Sequence, residues 1–255
     1  MKLCKVYLPA YNEQENISKL IHSWISEKEK LFSLGYKLII HPIDDCSKDC
    51  TRKIIIDISK KYNFVQPLLH EINKNLGGGL NTAFRNFIKQ GKFGDIAVLM
   101  DADNTHKPNF VYSMINLQKN ENLDCIIASR YRKGSKIVGV PKIRNFLSFG
   151  ALLYYSVVLG IKNVRDYTCG YRLYTYDSIF KAFKIYGNNF VTERGFTCMM
   201  EVLYKLYKIG ASFGEVAFEL RYDNKFGNSK MNVFSTIIDS FKQAIKFRVK
   251  IRKQR

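Results

Sequence analysis

Along the first half of the chain, short unbroken apolar runs alternate with longer stretches in which apolar residues return every three or four positions. The short runs predict strands over residues 5–9, 37–43, 65–70, 96–100 and 125–129. The helical spacing between them predicts helices over 13–33, 49–62, 80–90 and 109–117. In the first of these helices Ile17, Leu20, Ile21, Trp24 and Ile25 share one stripe; in the second, Ile54, Ile55 and Ile58 face inward. Pro42 suggests that its strand is already ending there. Repeated strand–helix units imply an α/β fold with a mostly parallel sheet covered on both faces. In such sheets ligands bind beyond the carboxyl ends of the strands. That rule selects Pro9-Ala10-Tyr11-Asn12-Glu13, Asp44-Asp45, residues 73–79, Asp101-Ala102-Asp103 and Arg130.

The second half is patterned differently. Residues 141–160 predict a long helix or a broken pair, "VRDYTCGYRLY" a polar and aromatic loop, 192–210 a helix and 213–220 a strand. "RYDNKFGNSK" reads as a loop, and 232–250 as helical. With no internal repeat and no Pro/Gly-rich linker, a single domain with a C-terminal extension is expected.

Composition adds a direction. At 46% hydrophobic and 14% aromatic the chain can bury a large core. Lys plus Arg number 41 against 22 acids, a formal charge of +19. No acid occurs between Asp124 and Asp166, or after Asp239, and basic residues crowd both stretches. An anionic partner follows: nucleic acid, an anionic membrane surface or a phosphorylated substrate. Nucleic acid is set aside, since the basic residues sit in no RRM, helix-turn-helix or zinc-finger frame. The six cysteines form no CxxC pair and no Cys/His set with zinc spacing, so reduced thiols are expected. "MKLCKVYLPAYN" begins a strand at once and lacks the apolar core of a signal peptide. Residues 145–161 are uncharged but contain Asn, Ser and Gly, which fits a buried or interfacial helix better than a membrane span.

The candidate chemistry lies in three strand-end motifs. In "AVLMDADNTHKP", Asp101 and Asp103 are two apart and point the same way on an extended backbone. A divalent cation such as Mg²⁺ is held by one or two carboxylates plus substrate phosphates, so the pair suits a metal; a polar turn capped by Asn104 or Thr105 is the other reading. In "IDDCSKD", Ser47 or Asp49 suffices to cap the next helix, which leaves Asp44 and Asp45 available to a nucleobase or ribose. "NKNLGGGLNTAF" puts Gly77 in a glycine-rich turn ahead of a helix, either a phosphate cradle or a flexible turn. The dinucleotide fingerprint and the P-loop Lys-Ser/Thr are both absent, which argues against a nicotinamide oxidoreductase.

Taken in order, these motifs resemble a family 2 glycosyltransferase with the GT-A fold, an α/β (Rossmann-like) single domain. "LPAYNEQENI", "IDDCSKD", "NLGGG" and "MDADNTHKP" match the nucleotide-sugar half; "ASRY", "RNFLS", "DYTCGYRLY", "RGFTCMMEVLYKLYKIG" and "NKFGNSK" continue the match. Within the family the polyprenyl-phosphate glycosyltransferases, of dolichyl-phosphate mannose synthase type, are most similar. The resemblance implies a catalytic domain over 1–230, with a nucleotide-sugar half (1–129) and an acceptor half (130–230), and a basic helical tail over 231–255. It implies that Pro9, Tyr11, Glu13 and Asp45 hold the nucleoside. Asp101 and Asp103 would engage ribose and Mg²⁺ or Mn²⁺, with Asp103 the metal anchor. Arg130, Arg144 and Ser148 would grip the phosphate of a polyprenyl-phosphate acceptor, and Lys230 the donor diphosphate. Thr105 stands where the type often has Gln, Cys169 replaces its usual Ser, and Asn224 replaces an Arg, leaving Arg221 or Lys225 to substitute.

The expected reaction is inverting, metal-dependent transfer from a GDP- or UDP-sugar to the lipid phosphate. The enzyme would sit peripherally on the cytoplasmic face of an anionic membrane, and the lack of terminal membrane helices leaves room for a membrane partner subunit. An ionised phosphate needs no strong general base. A polysaccharide or glycolipid hydroxyl, the alternative acceptor, does need one, and Glu193 is the candidate. Glu201 is expected to be a buried structural acid.

Overall fold

In this computed structural model the described residues are 1–139, 142–221, 241, 243–247 and 249; the side chains of 142–149 and 151 are not among them. Among the described residues seven strands form one sheet: β1 (Lys2–Ala10), β2 (Tyr36–Asp44), β3 (Leu68–Leu69), β4 (Ile96–Leu99), β5 (Cys125–Ser129), β7 (Arg172–Thr175) and β8 (Phe213–Ala217). Their order is β3-β2-β1-β4-β7-β5-β8. Only β7 runs against its neighbours; all other pairings are parallel. A small second sheet pairs β6 (Lys136–Val138) with β9 (Glu219–Arg221). The expected α/β, mostly parallel architecture is therefore present.

β1 and β4 are buried along nearly their whole length, as fits strands covered on both faces by helices. The predicted helix over 13–33 is two helices, α1 (Ile17–Ile25) and α2 (Lys28–Ser33). The break comes where the Ser26 hydroxyl bonds the Ser23 carbonyl and the Glu27 N–H reaches back only to Trp24. Glu27 then accepts a hydrogen bond from the Tyr112 hydroxyl. The strand predicted over 65–70 shrinks to β3 plus a bridge at Val65; the Gln66 and His70 N–H groups bond β2, so Pro67 turns its missing N–H to the open edge. β2, by contrast, continues past Pro42. Residues 40 and 44 bond toward β3, so the missing N–H of Pro42 faces that side and the β1 ladder stays intact.

Helix α3 (Thr51–Lys61) matches expectation closely; α5 (Val111–Glu121), preceded by a 3₁₀ turn at Pro108–Phe110, runs past the expected end at residue 117. Helix α4 (Asn75–Gln90) starts earlier than predicted and absorbs the glycines. In the second half, α6 (Lys142–Leu159) is the expected long helix, and α8 (Cys198–Lys208) starts later than expected. The predicted strand over 213–220 is split into β8 and β9, and the "VRDYTCGYRLY" loop conceals β7, followed by α7 (Tyr176–Tyr186). Residues 241, 243–247 and 249 are helical; the rest of the predicted helix over 232–250 lies outside the described residues. All six cysteines are free.

Candidate active site

Because β7 is reversed, the carboxyl ends of β1, β2, β4 and β5 and the start of β7 all open at one edge of the sheet. The predicted site residues collect along this edge. Pro9, next to last in β1, lies beside Gly79 of α4, and Tyr11 and Glu13 follow in the turn. That turn is latched to the loop after β2. Asn12 N–H donates to Ser47 Oγ at 3.0 Å, Lys48 N–H to Asn12 Oδ1 at 2.8 Å, Glu13 N–H to Thr51 Oγ1 at 2.8 Å and Cys50 N–H to Gln14 Oε1 at 2.9 Å. Asn12 has φ 54 and Cys46 φ 60, left-handed conformations that such tight turns require. The Glu13 carboxylate accepts from Asn16 Nδ2 at 2.8 Å.

The two acids after β2 have different surroundings. Asp44 is fully buried, with Arg52 Nε 2.7 Å from Oδ2 and the Ser47 N–H at 3.3 Å from Oδ1. Asp45 Oδ1 accepts from His70 Nδ1 at 2.7 Å and from the Lys74 N–H at 2.8 Å. Thr82 Oγ1 lies 2.8 Å from His70 Nε2, so a buried line runs from α4 to Asp45. The carboxylate of Asp45 is thereby aimed by the fold rather than by solvent.

The glycines of α4 serve close approach. The Gly77 N–H donates to the Arg194 carbonyl at 2.9 Å, and a Cβ on Gly77 would lie 1.8 Å from the Glu193 carbonyl oxygen. The start of α4 is thus pressed against the 193–195 loop, which brings Glu193 to the site edge. The Glu193 carboxylate accepts from Gln243 Nε2 at 2.9 Å and from Thr197 Oγ1 at 3.3 Å. Glu201 is the buried structural acid expected of it. It accepts from the Thr192 and Glu193 N–H groups, each at 2.8 Å, and pairs with Lys205.

Asp101 and Asp103 leave β4 at the centre of the edge. Gly170 lies against Asp101 so closely that a Cβ there would be 2.6 Å from Oδ1. Asp103 Oδ1 accepts from Thr105 Oγ1 at 2.7 Å and the Thr105 N–H at 3.2 Å. Among the described residues no three His, Cys, Asp or Glu side chains converge as a closed metal cage. Two carboxylates at an open edge fit a hard divalent cation whose other ligands are substrate phosphate oxygens.

On the acceptor side, Arg130 closes β5 and forks onto the fully buried Asp166, at 2.7 Å from Nε and 2.6 Å from Nη2. Nη2 also reaches Thr168 Oγ1 at 2.6 Å. Burial opposes ionisation of Asp166, and the Arg130 guanidinium overcomes it, holding the carboxyl below its usual range. Among the described residues Arg130 Nη1 makes no hydrogen bond. Arg144 and Ser148 lie on α6 with their side chains outside the described part, and Lys230 lies outside the described residues. Asp166, His70 and Gln243 are additions that the motif reading did not single out. Only Asp166 left a trace in the sequence, as the acid that ends a long basic stretch and opens "DYTCGYRLY".

The model of glycosyl transferase family 2 matches residues 5–183. The dolichol-phosphate mannosyltransferase of Pyrococcus furiosus is 33% identical over 167 residues, 65% of this chain and 44% of that protein, so the chain spans less than half its length. A dolichyl-phosphate beta-glucosyltransferase of Trichomonas vaginalis is 28% identical over 263 residues, covering 97% of this chain and 76% of that one. The undecaprenyl-phosphate mannosyltransferase of Micrococcus luteus is 26% identical over 228 residues, covering 88% and 86%. Glucosyl-3-phosphoglycerate synthase of Mycobacterium tuberculosis, solved with Mn²⁺, UDP and glucosyl-3-phosphoglycerate, superposes with a TM-score of 0.61 at 14% identity, over 98% of this chain and 79% of that one. Mannosyl-3-phosphoglycerate synthase of Rubrobacter xylanophilus gives 0.60 at 12% identity, over 100% and 76%. These two superpositions speak for the fold. The family match runs from β1 through β7, across the nucleotide-sugar motifs and their reversed neighbour, and on it the chain belongs to glycosyl transferase family 2.

Proposed function

We propose that this protein transfers a sugar, with inversion, from a GDP- or UDP-sugar to a polyprenyl phosphate at a membrane surface. The observation that carries the reading is the single sheet edge on which Asp101 and Asp103 lie between an acidic, latched nucleoside pocket and the Arg130–Asp166 pair. Pro9, Tyr11, Glu13 and Asp45 hold the nucleoside, with Asp44 and Arg52 bracing the loop that carries Asp45. Asp103, with Asp101, would hold Mg²⁺ or Mn²⁺, which supplies neutralisation of the leaving diphosphate. Arg130 offers Nη1 to the acceptor phosphate while Asp166 fixes its plane. Arg144, Ser148 and Lys230 complete the two phosphate sites. Glu193, held by Gln243 and Thr197, would serve as the base if the acceptor is a hydroxyl.

Membrane contact is supported by exposed apolar residues. Leu153 and Val157 on α6 are 52% and 75% exposed and four residues apart; Ile245 and Val249 repeat this spacing in the C-terminal segment. Tyr154 Oη bonds the Phe241 carbonyl at 2.8 Å, joining the two segments. Exposed apolar residues at helical spacing on a strongly basic chain suit a helix lying in the headgroup layer. No helix among the described residues is long and apolar enough to cross a membrane.

The test is incubation of purified protein with Mn²⁺ and a panel of GDP- and UDP-sugars, with and without undecaprenyl phosphate. Nucleoside diphosphate released only with the lipid is expected. Release driven by a sugar hydroxyl acceptor and not by the lipid would overturn the acceptor. Asp103→Ala should abolish transfer with an unaltered circular dichroism spectrum, and normal turnover would remove Asp103 from the site.

A further inference from the structure

Behind Asp103 lies a line of buried groups that the reaction described above does not use. Thr105 Oγ1 is 2.7 Å from Asp103 Oδ1 and 3.0 Å from His106 Nδ1. His106 Nε2 is 3.7 Å from Cys169 Sγ. The Cys169 N–H donates to Asp166 Oδ1 at 3.1 Å, and Asp166 holds Arg130. The line therefore crosses the site from the donor side to the acceptor side.

Its protons can be assigned one by one. A carboxylate cannot donate, so the single hydroxyl proton of Thr105 points to Asp103. Thr105 Oγ1 must then accept from His106, which puts a proton on Nδ1. His106 is 6% exposed, and burial lowers its pKa to about 4, so the ring is neutral and Nε2 is bare. Nε2 accepts from Cys169, whose thiol is kept protonated because burial pushes its pKa up. From the Cys169 thiol through His106 to Thr105, every side-chain donor points toward Asp103. The ring itself is clamped by Phe218, stacked at 5.3 Å, and by Tyr171, edge-on at 5.7 Å.

We propose that His106 is a positioning residue for Asp103, acting through Thr105 and held in its Nδ1–H tautomer by Cys169. The proposal rests on the reading of Asp103 as the metal and diphosphate anchor. Thr105 donates to Asp103 along a line fixed by His106, so the direction of the carboxylate is set before any substrate arrives. Because Cys169 also bonds Asp166, a shift of the loop carrying the Arg130 partner is transmitted to Asp103.

Two substitutions separate positioning from packing. His106→Phe keeps a ring between Phe218 and Tyr171 and removes the donor. His106→Asn removes the ring, but its amide nitrogen lies as many bonds from Cα as Nδ1 does and can donate to Thr105. Mn²⁺ affinity is read by electron paramagnetic resonance with GDP or UDP present, beside kcat, donor KM and thermal melting, with Asp103→Asn as reference. His106→Phe should weaken Mn²⁺ binding by about 10-fold or more, the range for groups that orient a metal ligand, and His106→Asn should recover most of it. Wild-type Mn²⁺ affinity in His106→Phe, or a His106→Asn variant no better than the Phe variant, overturns the proposal. Should Asp103→Asn itself bind Mn²⁺ normally, the anchor reading falls instead. Nitrogen-15 shifts of His106 in the wild-type protein provide a check free of substitution: a protonated Nδ1 and bare Nε2 are expected, and the opposite tautomer refutes the assignment.

Discussion

Gly170→Ala isolates the placement of one carboxylate. The alanine Cβ would stand 2.6 and 2.7 Å from the two Asp101 oxygens and 2.9 Å from Cγ. Gly170 has a backbone conformation outside the left-handed region, so alanine is tolerated by the main chain and the whole perturbation falls on Asp101. To regain an ordinary contact of 3.4 Å, the carboxylate must retreat by about 0.8 Å. Overpacking of this kind costs about 1–3 kcal/mol, offset by roughly 0.4–1 kcal/mol from the stiffer unfolded chain. The melting temperature should therefore fall by no more than about 10 °C. Displacing a group at a reacting centre by about 1 Å costs on the order of 100-fold in rate, so turnover should drop far more than stability does. Initial rates of nucleoside diphosphate release, measured beside thermal melts of the same preparations, give both numbers. Turnover within about threefold of wild type, about 0.6 kcal/mol, would refute the idea that the approach of Gly170 sets Asp101 for the reaction.

Gly77→Ala should act on stability first. Its Cβ would meet the Glu193 carbonyl oxygen at 1.8 Å, a backbone atom with no rotamer to change, so a loss of about 2–3 kcal/mol and a melting point lower by roughly 4–12 °C are expected; a shift under about 2 °C would contradict the packing of α4 on the 193–195 loop. Acid should loosen the fold above the carboxylate range. Burial lowers both His41 and His106 from 6.5 to about 4. Below about pH 6.5 the unfolded chain takes up protons that the folded chain refuses until about pH 4, so stability is full above this window and is lost as pH falls through it. Two such groups give a slope of about 2.7 kcal/mol per pH unit, which urea unfolding at pH 7.5, 6 and 5 would detect, and a flat midpoint would contradict.

The parallel half of the fold was legible because strands buried on both faces read as unbroken apolar runs, as in β4 and β5. Misreadings occurred where a local rule met a tertiary demand. Glycines argue against helix, yet Gly77 and Gly79 stand in the first turns of α4: the Glu193 carbonyl leaves no room for a Cβ at Gly77, and one at Gly79 would lie a tight 3.2 Å from Pro9 Cβ. β7 is four residues long and begins with Arg172, which is fully buried and donates from Nη1 and Nη2 to the Met199 and Tyr167 carbonyls. No periodicity reveals such a strand. The acids and glycines of the candidate site could be found from strand ends alone. Their supports could not: His70 behind Asp45, Asp166 behind Arg130 and Gln243 behind Glu193 are 25, 36 and 50 residues from the groups they hold.

The reversed strand also bears on synthesis of the chain. β4 emerges from the ribosome with β1 as its only available neighbour, because its other edge is filled by β7, made some 70 residues later. At about 5–20 residues per second the nascent protein carries that fully buried strand with one flank open for several seconds. An open apolar edge is a template for pairing with other chains. Chains that stall before Thr175 are therefore the form of this protein most in need of a chaperone.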